Sequence, residues 1–321
     1  MLQLLNRGLE KAMPLITPVS VVSGVVLAER LHDYTFLVPW IFAFMTFAGS
    51  LSSDFRSLAN VMLHPFPIFI AFLVLHIGMP LWAWSVGHIA FSGDALTITG
   101  LILGMVIPTG ITSFIWVSIY RGNHALALSI ILIDTLLSPL LVPFSLSVLV
   151  GEMVAIDGWG LMKGLLGMIV IPSLLGMLLN QMTKGKVKVT LSPRLAPFLK
   201  IGLGMVVMIN SSMVSPYLIH VNWRLVAIAC TVFFVSSTGY LLSWGLGKLL
   251  KWNREDIVSL VFTGGMRNVS AGAVMAVAYF PGAVAAPVVM AMLFQQILAS
   301  LFGHLLARYY KTGHRKSNAA A

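Results

Sequence analysis

The chain has 321 residues, of which 58% are hydrophobic and 9% charged, with a formal net charge of +10 and a mean hydropathy of +0.94. A soluble domain of this composition would present one continuous apolar patch to water, so a water-soluble globular protein is excluded. The basic excess does not point to nucleic acid, because the lysines and arginines fall in alternate loops between apolar runs, and the one cysteine, Cys230, rules out an intrachain disulfide or a cysteine metal centre.

Spanning about 30 Å of hydrocarbon takes roughly 20 helical residues. Ten runs qualify, at 12–30, 34–52, 65–91, 95–120, 123–150, 158–182, 195–217, 223–250, 254–280 and 283–310. The amphipathic start, Met1 to Lys11, leads into the first of them, and no cleavable signal peptide is expected. Pro139 and Pro143 in the fifth run and Pro172 in the sixth would break soluble helices, but neighbouring helices in lipid satisfy the freed backbone groups. No ten-residue alternation of apolar and polar positions argues for a β-barrel. The predicted class is an all-α integral membrane protein with ten transmembrane helices.

Basic residues set the expected orientation. Arg7, Lys11, Arg56, Arg121, Lys184, Lys186, Lys188, Arg194, Lys200, Lys248, Lys251, Arg254, Arg308, Lys311, Arg315 and Lys316 fall on one side. Arg30, Lys163 and Arg224 fall on the other, with Glu29, Asp33, Asp94, Glu152 and Asp157. Sixteen against three predicts that both termini are cytoplasmic, which agrees with an even number of spans. Five spans in 1–152 and five in 153–321 give two halves of opposite orientation, the inverted-repeat plan.

The fourth and ninth runs carry polar, glycine-containing breaks: Pro108-Thr109-Gly110-Ile111-Thr112-Ser113 and Thr263-Gly264-Gly265-Met266-Arg267-Asn268. Breaks at matched positions of two halves point to a transporter binding site, with half-helix ends facing ions and substrate. Thr109, Thr112, Ser113, Thr263, Asn268 and Ser270 supply hydroxyls and an amide there. For each hydroxyl alone, a bond to its own helix is the plainer reading. Arg267 is either half of a fixed ion pair between helices or a cationic anchor for a carboxylate or sulfonate. Asp134 in the fifth run is its expected ion-pair partner or a proton-coupling group. Gln295 and Gln296 in the tenth run add amides at similar depth, His76 reads as a packing residue, and Asp54 as a cap or loop anchor. No metal cluster, phosphate loop or nucleophile elbow is present, so neither an enzyme nor a cofactor is expected. Tryptophans such as Trp40, Trp82, Trp84, Trp223 and Trp252 read as interfacial anchors.

The chain resembles the bile acid:sodium symporter family over nearly its whole length. The resemblance is carried by Phe44 to Phe55, by Pro108 to Phe114 followed by Arg121-Gly122-Asn123, by Leu136-Leu137-Ser138-Pro139, and by the second break. In the family the two breaks look like Pro-Gly-Gly-Thr-Ala-Ser-Asn and Glu-x-Gly-Met-Gln-Asn. The resemblance implies a sodium-coupled carrier of organic anions, but the positions that would ligate sodium hold Thr263, Arg267, Phe114, Ala127 and Ile131. A family glutamine on the third span falls at Leu75, unless a one-residue shift brings His76 there. Sodium requires several oxygen ligands and is repelled by a fixed cation, about 4 kcal/mol at 4 Å and an effective dielectric of 20.

The expectation is therefore a secondary transporter of a small organic anion in the cell inner membrane, sodium-independent and either proton-coupled or facilitative. Arg267 would replace the sodium sites, and Arg267, Asn268, Thr109, Thr112, Ser113, Thr263, Gln295 and Gln296 would bind substrate. The bilayer is a partner and nucleic acid is not, with a monomer or weak homo-oligomer expected. A sodium-coupled symporter is the alternative within transport; a membrane enzyme or sensor is the alternative of another class.

Overall fold

The computed structural model describes residues 2–53, 65–151, 154, 157–218 and 222–318. The segment holding Asp54, Phe55 and Arg56, and Glu152, lie outside the described residues. Every regular element among the described residues is helical. The principal helices are α1 (Leu2–Val26), α2 (Val38–Ser50), α3 (Pro65–Ala90), α4 (Ala95–Val106), α5 (Thr112–Ile119) and α6 (His124–Val150). They continue with α7 (Gly158–Met182), α8 (Ser192–Met213), α9 (Trp223–Leu249), α10 (Arg254–Gly265), α11 (Val269–Tyr279) and α12 (Gly282–Asn318).

Seven helical stretches among the described residues are long and apolar enough to cross a bilayer, or eight with one bent pair, against ten expected. The difference has two sources. The first two expected spans form a pair bent by 91° around residue 27, and the fourth is divided into α4 and α5, each too short to cross alone. The ninth passes as one stretch, α10 and α11 together, despite its own break.

Helix ends follow local chemistry. The side chains of Asn123, Asp157, Asn222, Asn253 and Asn268 each accept a hydrogen bond from an amide in the first turn of the helix that follows. Pro139 and Pro143 lie inside α6, where Ser147 Oγ donates to the carbonyl of Pro143 and no helix end results. Between Leu73 and Gly78, α3 widens into a π-turn, with Met79 N donating to the carbonyl five residues back at Val74.

Two layers result. Helices α1, α2, α7 and α8 pack on one another, while α4, α6 and α9 to α12 form a second body. The α10–α11 stretch is its axis: 83% of its most apolar window is buried, against 33% for α9. It is also the least apolar of the spanning stretches among the described residues, because a protein interior can satisfy polar groups that lipid cannot.

Candidate functional site

The two breaks meet. Asn268 N donates to the carbonyl of Pro108 at 2.8 Å, and Thr109 Oγ1 lies 2.8 Å from the carbonyl of Thr263 and 2.9 Å from that of Met266. Backbone freed by each interruption is thus satisfied by the other, as non-helical chain at membrane depth requires. Gly110 permits this approach: a Cβ there would stand 3.3 Å from the carbonyl oxygen of Arg267 and 3.4 Å from Asn268 Cα. On the far side, Gly265 lies against the Tyr240 ring, which itself stacks on Phe302 at 4.7 Å.

Arg267 is 3% exposed and sits where the carboxyl ends of α4 and α10 converge. Its Nε donates to the carbonyl of Met105 at 2.9 Å and its Nη1 to that of Gly264 at 2.9 Å. Helix carboxyl ends carry partial negative charge, so two of them together favour a cation. The direct ion pair expected between Arg267 and Asp134 is not formed; each group takes other partners. Asp134 is fully buried, its Oδ1 2.8 Å from His76 Nε2 and its Oδ2 accepting from Thr109 N at 2.6 Å. His76, expected to be a packing residue, therefore belongs to the site. The π-turn supplies the extra residue that turns it toward α6, while Leu75 packs with Ile68, Ala71 and Leu126.

A cavity of about 340 Å³ opens between the two layers and ends on the breaks. Of the residues expected to bind substrate, Arg267, Asn268, Thr109, Thr112, Gln295 and Gln296 line it. Ser113 and Thr263 do not: Ser113 is buried beside the cavity and Thr263 Oγ1 bonds back to the carbonyl of Ser259. Gln296 also accepts from Trp116 Nε1 at 3.1 Å. The opposite wall comes from residues the sequence did not single out, among them Thr46, Ser173 and Lys200, whose Nζ lies 2.6 Å from Asn6 Oδ1. Lone hydroxyls in apolar helices give no sequence signal, and Lys200 read only as a cytoplasmic charge. Among the described residues of the lining, Lys200 and Arg267 are the charged ones and none is a carboxylate. A second cavity of about 10 Å³, room for about one water, lies behind Arg267 next to Tyr240 and Gln295.

An all-helical multi-pass body with a two-layer cavity closing on a pair of broken helices defines a membrane transporter rather than an enzyme. The comparisons agree: residues 39–221 match the model of the Sodium Bile acid symporter family. The chain belongs to that family. It is 58% identical over 297 residues to the Bacillus subtilis protein YbaS, covering 92% of this chain and 97% of YbaS. It is 24% identical over 307 residues to the sodium-dependent transporter YocS of the same organism, covering 92% of each. The probable sodium/metabolite cotransporter BASS1 of rice chloroplasts is 28% identical over 260 residues, 79% of this chain and 61% of the rice protein.

Proposed function

We propose that the protein is a secondary transporter of a small organic anion, working by alternating access without sodium. The observation that carries the reading is Arg267. Its guanidinium occupies the meeting point of two helix carboxyl ends, the kind of place that attracts a cation, and holds it with a covalently attached one. A sodium ion there would lose its carbonyl ligands to Arg267 and meet its charge. The cavity supports an organic anion: its walls are largely apolar, its charged residues are cationic, and hydroxyls and amides are spread along it to orient polar substituents.

In this reading the chain forms ten spans in two inverted five-helix repeats, residues 1–152 and 153–321, in the cell membrane with both termini cytoplasmic. The layer of α1, α2, α7 and α8 rocks against the crossed body, exposing the cavity to each side in turn. Asn268, Thr109, Thr112, Gln295 and Gln296 contact the substrate directly, and Arg267 supplies the field that favours its carboxylate.

The test is uptake of a panel of radiolabelled organic acids into proteoliposomes, with sodium replaced by choline at fixed ionic strength. Apparent affinity and rate should be the same in both salts. A tenfold or larger tightening by sodium, about 1.4 kcal/mol, would establish the sodium-coupled mechanism that YocS and the chloroplast relatives are named for and overturn sodium independence.

A further inference from the structure

We propose that His76 and Asp134 form a proton-binding site, with His76 Nδ1 as the atom that takes the proton, and that this proton is the coupling ion of the organic-anion transport proposed above. The inference rests on that reading for its role, while the proton site itself stands on geometry.

We take Asp134 as the ionised member of the pair, a state its two hydrogen bonds accommodate. Asp134 Oδ2 accepts from the backbone amide of Thr109, so this oxygen serves as an acceptor. An ionised carboxylate accepts at both oxygens, which makes His76 Nε2–H the donor to Oδ1 across 2.8 Å. In a neutral imidazole the other nitrogen then carries a bare lone pair, and His76 Nδ1 is buried without a hydrogen-bond partner. A buried acceptor left unpaired beside a carboxylate is a poor structural arrangement and a good proton site, since a proton there creates an imidazolium next to an existing negative charge.

Charge balance links the proton to the anion. The charged and titratable groups facing the pair are Arg267 from the second break and, beyond it, Tyr240 from α9; on α3 the neighbour of His76 is the Phe72 ring, 5.2 Å between centroids. With His76 neutral, Asp134 and Arg267 cancel. A proton on His76 Nδ1 adds one positive charge to the site, beside that of Lys200 on the cavity wall, and so favours a monocarboxylate in the cavity. Binding of each then favours the other by the same factor, as linkage requires. The connection is also mechanical. Asp134 holds the amide of Thr109, a residue of the cavity wall, and Thr109 Oγ1 holds the end of α10. An imidazolium at Oδ1 draws the carboxylate's charge toward α3 and weakens its grip on the break. One proton from the outer phase adds to Nδ1, the loaded carrier reorients, and the same proton leaves to the cytoplasm, so that with a monoanion no net charge crosses.

The proton site is tested without substrate. Purified protein labelled with ¹⁵N-histidine is titrated in detergent between about pH 5 and pH 8, the range in which an imidazole changes charge. His76 is identified among the eight histidines by its loss in His76→Gln, or, should that chain not fold, by the resonance perturbed in Asp134→Asn. The expected result is a reversible change of Nδ1 from bare to protonated, altered in Asp134→Asn. Nδ1 unchanged across the whole range would overturn the proposal. The coupling role is read separately in proteoliposomes with the organic-acid panel. His76→Gln should lose accumulation driven by an inward proton gradient, by tenfold or more relative to its own exchange of internal for external anion. Gradient-driven accumulation equal to the parent chain would also overturn it. If the parent chain moves no organic acid, the carrier reading fails while the titration still decides the proton site.

Discussion

Arg267 carries the energetics of the centre. An unpaired guanidinium in hydrocarbon costs several kcal/mol, and here the carbonyls of Met105 and Gly264 offset part of that cost while Asp134 contributes from a distance and Nη2 is left without a hydrogen-bond partner among the described residues. Arg267→Gln removes the charge and leaves at least one of the two carbonyls buried without a donor, a loss of about 1–3 kcal/mol for each. Transport should fall by tenfold or more, measured as initial uptake rate in proteoliposomes. Arg267→Lys keeps the charge but not the planar fork, so an intermediate rate is expected. Because Asp134 is already served by His76 and Thr109, adding Asp134→Asn to Arg267→Gln should not restore transport. Restoration by the double change would show that the two act as a simple ion pair.

At the scale of elements, the crossing of the broken stretches depends on small residues. A Cβ on Gly265 would stand 2.5 Å from the Tyr240 ring, which is 1% exposed and held by Phe302 and Phe262. Gly265→Ala should therefore cost about 1–3 kcal/mol by overpacking, seen as a lower melting temperature in detergent, whereas Gly49→Ala, with open space around it, should cost little. The amino end of α4 offers a milder case. Burial pushes the Asp94 carboxyl up, but the bonds from Thr97 and the charge of Arg224, 2.5 Å away, outweigh it and hold the group below its ordinary value. A depressed carboxyl stabilises the fold above the unfolded value, about pH 4, and that stabilisation is lost as pH falls through the folded one. Both side chains are partly exposed, so the pair contributes at most about 1 kcal/mol. Asp94→Asn retains the cap and should lose less than that, while Asp94→Ala should lose about 1–2 kcal/mol. The Asn penalty should begin to shrink as pH falls below about 4 and vanish only once pH is under the lowered folded value, as thermal unfolding followed by tryptophan fluorescence would reveal.

For the whole molecule, alternating access requires opposed halves and therefore a defined orientation in the membrane. The sixteen-to-three bias of basic residues predicts Lys188 in the cytoplasm and Gly158 outside. Single cysteines at these positions in a Cys230→Ala background should react with an impermeant maleimide from the corresponding side only. Labelling of the 188 position from outside would remove the inverted-repeat plan. In the proposed mechanism the two-layer packing supplies the moving part: the cavity lies between layers, so a relative motion of the two would open it without unfolding the crossed breaks.

The sequence by itself determined the class of protein, both breaks and the buried cation, because hydrocarbon penalises charge and free backbone so heavily that Pro108 to Ser113 and Thr263 to Asn268 stand out against their surroundings. It also brought Thr109 and Asn268 to notice, since each lies in a cluster of polar groups beside a break rather than alone. Which groups pair was decided only by the tertiary structure. Helices that are apolar on every side carry no amphipathic stripe to show what faces what, so Lys200 and Ser173 could not be assigned to a cavity wall, nor Asp134 to its partner. His76 was hidden for a further reason: the π-turn from Leu73 to Gly78 shifts the helical phase by one residue, and its local cue is Pro80, which has no N–H for the carbonyl of His76 four residues back.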